Sequence, residues 1–241
     1  MSNKKIIAIF GAGSGLAASV ARQYGKKGYV AALVARNPDK LKALAEDIGS
    51  GGIETGTFTA DLSKPEDTAT VIAAIRNKFG RIDAVYYAPN PHDAFTPANQ
   101  LTPQILQPLI DLYFFGLVNV VNAILPEFRK RGEGIILSGF GGSAQVGFPH
   151  LSGIGPAMSA ARNYLQSLQL ELVPENIKVG IVTITAIVAN SAYHQGLLAK
   201  HGGTTLPHDF PWPEADPDHL AVLLDQALND PTRLEAIYPP A

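Results

Sequence analysis

Short apolar runs alternate with helix-like segments along the whole chain. Seven runs of four to eight residues read as strands, and the apolar residues between them recur at helical spacing. This alternation is the pattern that builds a parallel sheet with helices packed on both faces. We therefore predict an α/β fold with a doubly wound parallel sheet of about seven strands. The predicted strands are Ile6–Phe10, Tyr29–Ala35, Ile53–Ala60, Ile82–Tyr87, Gly134–Leu137, Val179–Ile184 and Leu234–Tyr238.

Several helices have a recognisable first turn. Asn37, Thr102 and Asp216 each precede a proline, which predicts a side-chain cap followed by a proline at the first helical position. Ser63 and Glu66 have the spacing of a capping box, in which two side chains bond the free N–H groups at a helix start. These residues predict where four of the helices begin.

A glycine-rich turn follows the first predicted strand. Gly11, Gly13 and Gly15 lie around Ser14, and Leu16 opens an Ala-rich helical pattern. Glycines let the backbone turn tightly and approach a pyrophosphate, and the first free N–H groups of the next helix then hold that anion. Because a strand precedes the turn and a helix follows it, the turn predicts a Rossmann-type nucleotide-binding unit with these five residues at the phosphates.

The composition fits one large domain. The chain has 241 residues, of which 46% are hydrophobic and 17% charged, so we expect a single domain over residues 1–241. A net charge of −2 predicts no general attraction to nucleic acid or membranes. Cysteine is absent, which excludes disulfides and thiolate chemistry and, with the short polar start, favours a cytoplasmic protein. Charged residues interrupt the hydrophobic segments, so no membrane span is expected.

One long irregular stretch, residues 190–215, contains a glycine pair at 202–203 and three prolines. Loops of that length in compact domains are usually lids or binding loops, so we predict a mobile substrate lid with few regular backbone bonds. His194, His201 and His208 recur there every seven residues. No carboxylate accompanies them at helical ligand spacing, and we expect no metal site.

From about Lys5 to Leu228, the chain resembles the short-chain dehydrogenase/reductase family. The glycine turn is similar to that family's motif, with Ala17 where the last glycine is usual, and the segment Pro126–Gly134 resembles the family's helix-to-strand connection. The resemblance implies that an Asp after the third strand contacts the adenine of a nicotinamide cofactor. The cofactor contacts implied beyond the glycine turn are Asp61, Leu62 and Ala88.

The end of the second strand narrows the choice of cofactor. Proteins of this fold that prefer NAD usually carry a carboxylate there, which bonds the ribose hydroxyls, but this chain has Ala35 followed by Arg36. A guanidinium forms paired, charge-assisted bonds to a phosphate. The sequence therefore favours NADP(H), although an Arg that is merely solvated at a strand end is the structural alternative.

The catalytic residues of the family are missing. Aligned from Gly134 onward, the family's Ser, Tyr and Lys fall on Gly141, Ile154 and Met158, and the Asn of the fourth helix falls on Tyr113. In the family, the Tyr protonates the carbonyl oxygen and the Lys lowers its pKa. An Ile and a Met offer a nascent alkoxide neither a proton nor a countercharge, so ordinary carbonyl reduction is disfavoured.

Three residues are candidate replacements for the missing proton donor. Tyr113 lies where the helix faces the cofactor in relatives, Ser143 lies close to Gly141, and His150 has a pKa suited to acid–base work. Each also has a structural interpretation, as a packing Tyr, a loop Ser and a solvated His. Seven aromatic residues on nearby segments suggest a pocket for a flat or apolar ligand. They are Tyr86, Tyr87, Phe95, Tyr113, Phe140, Phe148 and Trp212.

Three function classes stay open from the sequence. The first is an NADP(H)-dependent oxidoreductase with non-standard catalytic residues, which acts on a small, apolar or aromatic substrate, with an imine or activated C=C favoured over a simple ketone. The second is a catalytically inactive NADP(H)-binding protein or partner subunit. The third is a non-redox isomerase or cyclase on the same fold.

Two helical segments are more apolar than a single core requires. The segment around 105–129 is apolar on nearly all sides, so one face must be buried away from the sheet. We expect a homodimer or homotetramer built on this segment and on the helix around 156–172, as in relatives.

Overall fold

The computed structural model of the protein describes residues 4–91, 95–202, 212–230 and 234–240. Seven strands form one parallel sheet with the order β3-β2-β1-β4-β5-β6-β9, and β7 pairs with β8 in a separate two-stranded sheet. This confirms the predicted α/β class and the strand number of the main sheet. The strands are β1 (Ile6–Phe10), β2 (Val30–Ala35), β3 (Thr55–Thr59), β4 (Ala84–Tyr87), β5 (Gly134–Gly141), β6 (Ile177–Ile184), β7 (Ile187–Val188), β8 (Glu214–Ala215) and β9 (Ala236–Tyr238).

Helices cover both faces of the sheet. Along β1, Ala8 and Phe10 belong to one buried cluster, whereas Ile7 and Ile9 belong to a second cluster on the opposite face. Because both faces are buried, the strands need no polar positions, which explains their continuous apolar runs. The helices are α1 (Leu16–Lys26), α2 (Pro38–Ser50), α3 (Pro65–Phe79), α4 (Pro103–Ile110), α5 (Gly116–Arg131), α6 (Ile154–Leu172), α7 (Ala192–His201) and α8 (Pro217–Ala227).

The predicted helix starts are confirmed at three positions. The Asn37 side chain accepts from the Lys40 N–H, and Thr102 and Asp216 accept in the same way at the starts of α4 and α8. The predicted capping box at Ser63 was wrong. Helix α3 begins after Lys64, and Ser63 instead donates its hydroxyl to Asp61 at 2.8 Å.

Strand β5 extends four residues beyond its predicted end, to Gly141. Its pairing with β6 continues from Gly134 opposite Ile177 to Gly141 opposite Ile184. The sequence hid this extension because Ser138 and the following glycines are weak strand formers. Ser138 is fully buried, and its hydroxyl donates to the Tyr87 carbonyl oxygen at 2.6 Å, so the polar group is satisfied inside the sheet.

The stretch 190–215 is more regular than predicted. Ala192–His201 forms helix α7, with Ser191 as its side-chain cap and Gly202 in the left-handed conformation at its end. The short strands β7 and β8 pair at the two ends of the stretch. The expectation of few regular backbone bonds was therefore wrong for residues 192–201, while residues 203–211 and His208 lie outside the described part of the chain. The lid itself stays a prediction.

One long helical stretch runs from Pro103 to Arg131. Helix α4 passes into α5 through a π-helical segment, Asp111–Phe115. By length and composition this stretch is apolar enough to span a bilayer, which corrects the expectation that no segment is. A core helix passes the same test, and Leu117, Val120 and Val121 of this helix lie fully buried in the protein.

The π-helical segment is held against the end of strand β4. The Tyr87 hydroxyl donates to the Leu112 carbonyl oxygen, and the Gly116 N–H donates to the Asp111 carbonyl oxygen five residues earlier, as in a π-helix. Gly116 makes the close approach possible. A Cβ at this position would clash with the Tyr87 hydroxyl and lie 2.5 Å from the Leu62 carbonyl oxygen.

Helices α4 and α6 and the π-helical segment leave large apolar side chains in solvent. Ile105, Phe115 and Leu170 are 42%, 46% and 63% exposed. These residues lie on or beside the two helices for which the sequence predicts subunit contacts, and the oligomeric state stays a prediction.

We predict opposite stability effects for two Gly→Ala substitutions in helices. Gly116→Ala should lower the free energy of unfolding by about 1–3 kcal/mol, because the new methyl group overpacks the contact with Tyr87 and Leu62. Gly49→Ala in α2, where a Cβ meets no atom within 4 Å, should raise it by about 0.4–1 kcal/mol. Urea unfolding of both variants measures the difference. Equal stability of the Gly116→Ala variant and the unsubstituted protein would contradict the packing argument.

Candidate functional site

The glycine turn is tied to two neighbouring strands. The N–H groups of Gly11 and Ala12 both donate to the Val34 carbonyl oxygen in β2, at 3.0 and 2.9 Å. Gly11 has φ +88°, and a Cβ there would lie 2.5 Å from the Pro89 nitrogen. Only glycine fits this position, because both the backbone conformation and the contact exclude a side chain.

The open side of the turn carries backbone donors for an anion. The first helical bond of α1 runs from the Ser19 N–H to the Gly15 carbonyl oxygen, so the N–H groups of Leu16 to Ala18 have no acceptor within the helix. Ser14 is exposed, and a Cβ at Gly13 would meet no atom within 4 Å. The turn therefore fits a phosphate-bearing cofactor held by the predicted residues Gly13 to Leu16, with Gly11 shaping the turn.

Arg36 lies exposed directly after β2. Among the described residues, no carboxylate oxygen lies close enough to the Arg36 guanidinium, within 4 Å, to form an ion pair. The charge of Arg36 nevertheless acts on Asp61. Partial burial acts to raise the pKa of Asp61, but two hydrogen bonds from Ser63 and the charges of Arg36 and Lys64 outweigh it and lower the pKa. Asp61 is therefore an anion at neutral pH, and Arg36 keeps its donors free for a ligand.

The other two predicted cofactor residues are placed by their backbones. Leu62 is buried, and its carbonyl oxygen faces Gly116 on the long helix. The Ala88 N–H donates to the Phe10 carbonyl oxygen at 3.1 Å, which fixes the chain just after β4 beside the glycine turn. Both therefore lie at the carboxyl edge of the sheet, the edge at which ligands bind in open α/β folds.

The family model for short-chain dehydrogenases matches residues 5–195 of this protein. The chain therefore belongs to the short-chain dehydrogenase family. Members of this family are typically NAD(P)-dependent oxidoreductases, and the matched residues include the glycine turn and Arg36.

Curated relatives and solved structures agree with this membership. The chain is 29% identical over 202 residues to an 11-beta-hydroxysteroid dehydrogenase-like protein of Arabidopsis thaliana, a match that covers 83% of this chain and 64% of that protein. It is 25% identical to an uncharacterized oxidoreductase of Listeria monocytogenes, covering 94% of this chain and 91% of that one. A variant of actinorhodin polyketide ketoreductase with NADPH has the same fold, with a TM-score of 0.83, 16% identity and coverage of 98% and 95% of the two chains.

Two of the positions aligned with the family's catalytic residues, Gly141 and Met158, lie next to each other. A Cβ at Gly141 would lie 3.5 Å from the Met158 methyl carbon and 3.9 Å from the Ser143 hydroxyl. Met158 is buried, and Ile154, one turn earlier on α6, packs against the same core cluster. The wall that these residues form at the end of β5 is apolar except for the Ser143 hydroxyl.

Tyr113 lies in the π-helical segment and is only 6% exposed. Its hydroxyl donates to the side-chain oxygen of Asn90 at 3.3 Å. Burial raises the pKa of Tyr113 well above its ordinary value, so the hydroxyl stays protonated at neutral pH but is a weak acid. As a proton donor, Tyr113 would have to exchange Asn90 for a substrate.

The other two candidate donors lie in different environments. Ser143 is 8% exposed, in the short turn that follows β5 and packs on α6. His150 is exposed and has φ +65°, and its carbonyl oxygen accepts from the Thr96 N–H at 2.7 Å. Among the described residues, no hydrogen bond joins the His150 ring to Tyr113 or Ser143, so the three candidates do not form one hydrogen-bonded group.

The predicted aromatic pocket divides into two sets. Tyr86, Tyr87 and Phe140 are buried in the core on either face of the sheet, so they do not form a common lining. Phe148 and Trp212 pack edge-to-face with their ring centres 5.1 Å apart, and Phe95 lies 5.9 Å from Tyr193 of α7. Sequence reasoning missed Tyr193 because α7 was expected to be irregular. Both outer pairs bridge to the 190–215 stretch.

The two described histidines of that stretch, His194 and His201, do not belong to a metal-binding group. His194 is buried, whereas His201 lies exposed at the end of α7. In the ranges that the structure describes, no group of three His, Cys, Asp or Glu residues is arranged to hold an ion.

Sequence reasoning missed a largely buried carboxylate, that of Glu235, which is bonded by residues of α6 and β6. Arg162 donates to both carboxylate oxygens of Glu235, and the Thr183 hydroxyl and the Gln145 amide also donate to it, at 2.9 and 2.7 Å. Partial burial acts to raise the pKa of Glu235, but these hydrogen bonds and the Arg162 charge outweigh it and lower the pKa. The cluster joins α6, β6 and the segment after Ser143 to the last strand, and its members have no common spacing in the sequence.

We predict that Glu235→Gln destabilises the protein in a pH-dependent way. At pH 7 the free energy of unfolding should fall by about 1–3 kcal/mol, since charge-assisted bonds are lost in a buried cluster. The folded-state pKa of Glu235 is lowered, so its stabilisation is complete above the unfolded pKa of about 4.3 and disappears as pH falls through the folded value. Urea unfolding from pH 7 to pH 3 should show the two proteins converging at the acid end.

Glu54→Gln is the matched control for this measurement. Glu54 is half exposed and pairs only with the exposed Lys4, so its removal should cost less than about 1 kcal/mol. A difference between the Glu235→Gln variant and the unsubstituted protein that stays constant from pH 7 to pH 3 would contradict the assignment.

Proposed function

We propose that this protein is an NADP(H)-dependent oxidoreductase whose acceptor needs little protonation by the protein, such as an imine or an activated C=C. The observation that supports it most is Arg36, which lies exposed at the end of β2 without an ion-pair partner among the described residues, beside a glycine turn with free backbone donors. The positively charged guanidinium has no anionic partner among the described residues, and a 2′-phosphate would supply one.

The phosphate groups and the adenine of this cofactor would have counterparts in this chain. The N–H groups of the glycine turn would hold the pyrophosphate, Arg36 the 2′-phosphate, and Asp61 the adenine end. When bound, the nicotinamide supplies hydride chemistry. The protein's own contribution is to bind and orient the two reactants and to exclude water.

The apolar wall argues against simple ketones and aldehydes as substrates. Hydride transfer to a ketone creates an alkoxide, which needs a donor or a cation beside it. Gly141, Ile154 and Met158 provide neither, and the Tyr113 hydroxyl is already bonded to Asn90. Acceptors that carry or delocalise their own charge fit this wall better, and the two aromatic pairs that bridge to the 190–215 stretch would suit a flat, apolar molecule.

One observation supports a second candidate, a cofactor-binding protein without turnover. Burial raises the pKa of Tyr113, and no neighbouring charge in the described part of the chain lowers it. A regulatory or partner subunit would keep the glycine turn that binds the cofactor but would need no group that protonates a substrate. This candidate predicts NADPH binding with no reduction of any acceptor.

We predict that NADPH binds at least about tenfold more tightly than NADH, a difference of ~1.4 kcal/mol that a charge-assisted phosphate contact can provide. Arg36→Ala should remove this preference by weakening NADPH alone, because NADH has no 2′-phosphate. Fluorescence titration of both cofactors measures the effect, with NADH affinity as the internal control. Equal curves for the two cofactors in the unsubstituted protein would refute the assignment of Arg36.

We predict no measurable NADPH-dependent reduction of simple ketones, because general acid catalysis alone is worth about 10²- to 10⁴-fold in rate. The triple variant Gly141→Ser, Ile154→Tyr, Met158→Lys should gain ketone reduction. The serine fits without displacement, since the nearest atoms to a Cβ at Gly141 are 3.5 and 3.9 Å away. Depletion of NADPH is followed with ketones, aldehydes, cyclic imines and enones.

Tyr113→Phe and His150→Ala test the replacement donors in the same assay. Loss of imine or enone reduction in one of them identifies the proton donor. Robust ketone reduction by the unsubstituted protein would show the reading of the catalytic positions to be wrong, and NADPH binding without turnover of any acceptor would favour the second candidate.

A further inference from the structure

The segment that leads into α7 packs against the glycine turn, where Ser191 contacts Gly15. A Cβ at Gly15 would lie 3.1 to 3.3 Å from the Cβ, Cα and backbone nitrogen of Ser191. The segment at Ser191 therefore touches the same residue whose carbonyl oxygen opens helix α1. A shift of Ser191 changes the space and the backbone geometry at the phosphate donors.

Ser191 is held by a tight turn with an uncommon backbone conformation. The Ser191 N–H donates to the Val188 carbonyl oxygen at 3.3 Å, and Asn190, the third residue of the turn, has φ +60°. Positive φ is costly for residues other than glycine, with Asn among the most tolerant. Such a turn needs contacts that fix it, because its own backbone conformation does not favour it.

His194 supplies that contact from inside α7. Its side chain is 9% exposed, and its Nδ1 accepts a hydrogen bond from the Asn190 N–H at 3.2 Å. The Ser191 hydroxyl accepts from the His194 N–H at 3.1 Å and caps the helix. The backbone N–H of Asn190 and the side chain of Ser191 are thus both bonded to one residue.

The second ring nitrogen of His194 faces Glu214 on β8. Nε2 is buried without a hydrogen bond in the described structure and lies 3.4 Å from a carboxylate oxygen of Glu214. A neutral imidazole that accepts at Nδ1 carries its proton at Nε2, and a carboxylate beside Nε2 stabilises that tautomer. Glu214 therefore favours the form of His194 that bonds Asn190.

We propose that His194 is a positioning residue for the cofactor. By fixing the Asn190–Ser191 turn, it fixes the contact between Ser191 and Gly15 and, with it, the position of the phosphate-binding N–H groups. This inference rests on the proposed cofactor site and goes beyond it, since His194 touches neither the glycine turn nor a candidate catalytic residue. Its removal acts on cofactor affinity by loosening the turn.

Three substitutions separate the two ring nitrogens. His194→Asn places a side-chain oxygen where Nδ1 lies and keeps an acceptor for the Asn190 N–H. His194→Gln places its polar group nearer Nε2, and His194→Ala removes both. His219→Ala is the matched control, because His219 is an exposed histidine on α8 that contacts Tyr238.

Two measurements are made on the full chain of each variant. NADPH affinity is titrated by fluorescence, and hydrogen–deuterium exchange follows the peptide that contains Asn190 without cofactor. We expect His194→Ala to bind NADPH about three- to tenfold more weakly, the equivalent of one lost hydrogen bond, and to exchange faster around Asn190. His194→Asn should restore both properties, His194→Gln should resemble His194→Ala, and His219→Ala should change neither.

The outcomes separate this inference from the proposed function. No NADPH binding by the unsubstituted protein overturns the proposed function and, with it, the role of His194. Normal NADPH binding that is equally strong in His194→Ala overturns the positioning role alone. Restored exchange protection in His194→Asn without restored affinity also overturns it, because the turn would then be fixed without consequence for the cofactor. If His194→Ala does not fold, the contrast between the Asn and Gln variants decides the matter.

Discussion

The close contact between the long helix and the end of strand β4 determines how the functional edge of this protein is built. The hydroxyl groups of Tyr87 and Tyr113 make this contact, and the Ser138 hydroxyl ties strand β5 to it. Ser138 bonds the Tyr87 carbonyl oxygen, Tyr87 bonds the Leu112 carbonyl oxygen, and Tyr113 bonds Asn90 just beyond β4. Gly116 leaves the space that the contact needs. Strand β5, strand β4 and the helix are therefore joined through polar groups at the edge where the cofactor half meets the apolar wall.

The two halves of that edge differ in their chemistry. The half formed by β1, β2 and β3 presents the backbone N–H groups of the glycine turn, the carboxylate of Asp61 and the Arg36 guanidinium, which has no ion-pair partner among the described residues. The half formed by β5 and α6 presents Ile154, Met158, a glycine and the Ser143 hydroxyl. Other polar groups in this second half are used within the structure, as in the Glu235 cluster, where Arg162, Thr183 and Gln145 satisfy one carboxylate. Its charges hold elements together and do not face a ligand.

Sequence reasoning succeeded where one local pattern has one physical meaning. Apolar runs identified all seven strands of the main sheet. The glycine turn lies between β1 and α1 as predicted, because the residues that form it, Gly11 to Leu16, are consecutive, whereas its phosphate-binding role stays a prediction. It failed where the decisive contacts are distant in sequence. The capping box at Ser63 lost to a bond with Asp61, helix α7 formed in a stretch judged by its glycines and prolines, and β5 continued through glycines because β6 paired with them. The sequence placed Tyr113 on the long helix, where the structure has it, but not in a π-helical segment, whose Leu112 carbonyl oxygen is bonded by Tyr87, 25 residues before Leu112.

The apolar wall has a direct consequence for the proposed reaction, beyond the absence of an acid. In a medium of low dielectric constant, a step that creates charge is penalised more than it is in water, whereas a step that removes charge is favoured. Hydride transfer to a ketone would create an alkoxide against Ile154 and Met158, whereas transfer to an iminium cation would create no anion there, because the positive charge passes from the acceptor to the nicotinamide. Transfer to an enone would spread the negative charge over several atoms, which lowers the penalty without removing it. On the proposed function, a pocket with Ile and Met in place of Tyr and Lys therefore favours acceptors that bring their own positive charge.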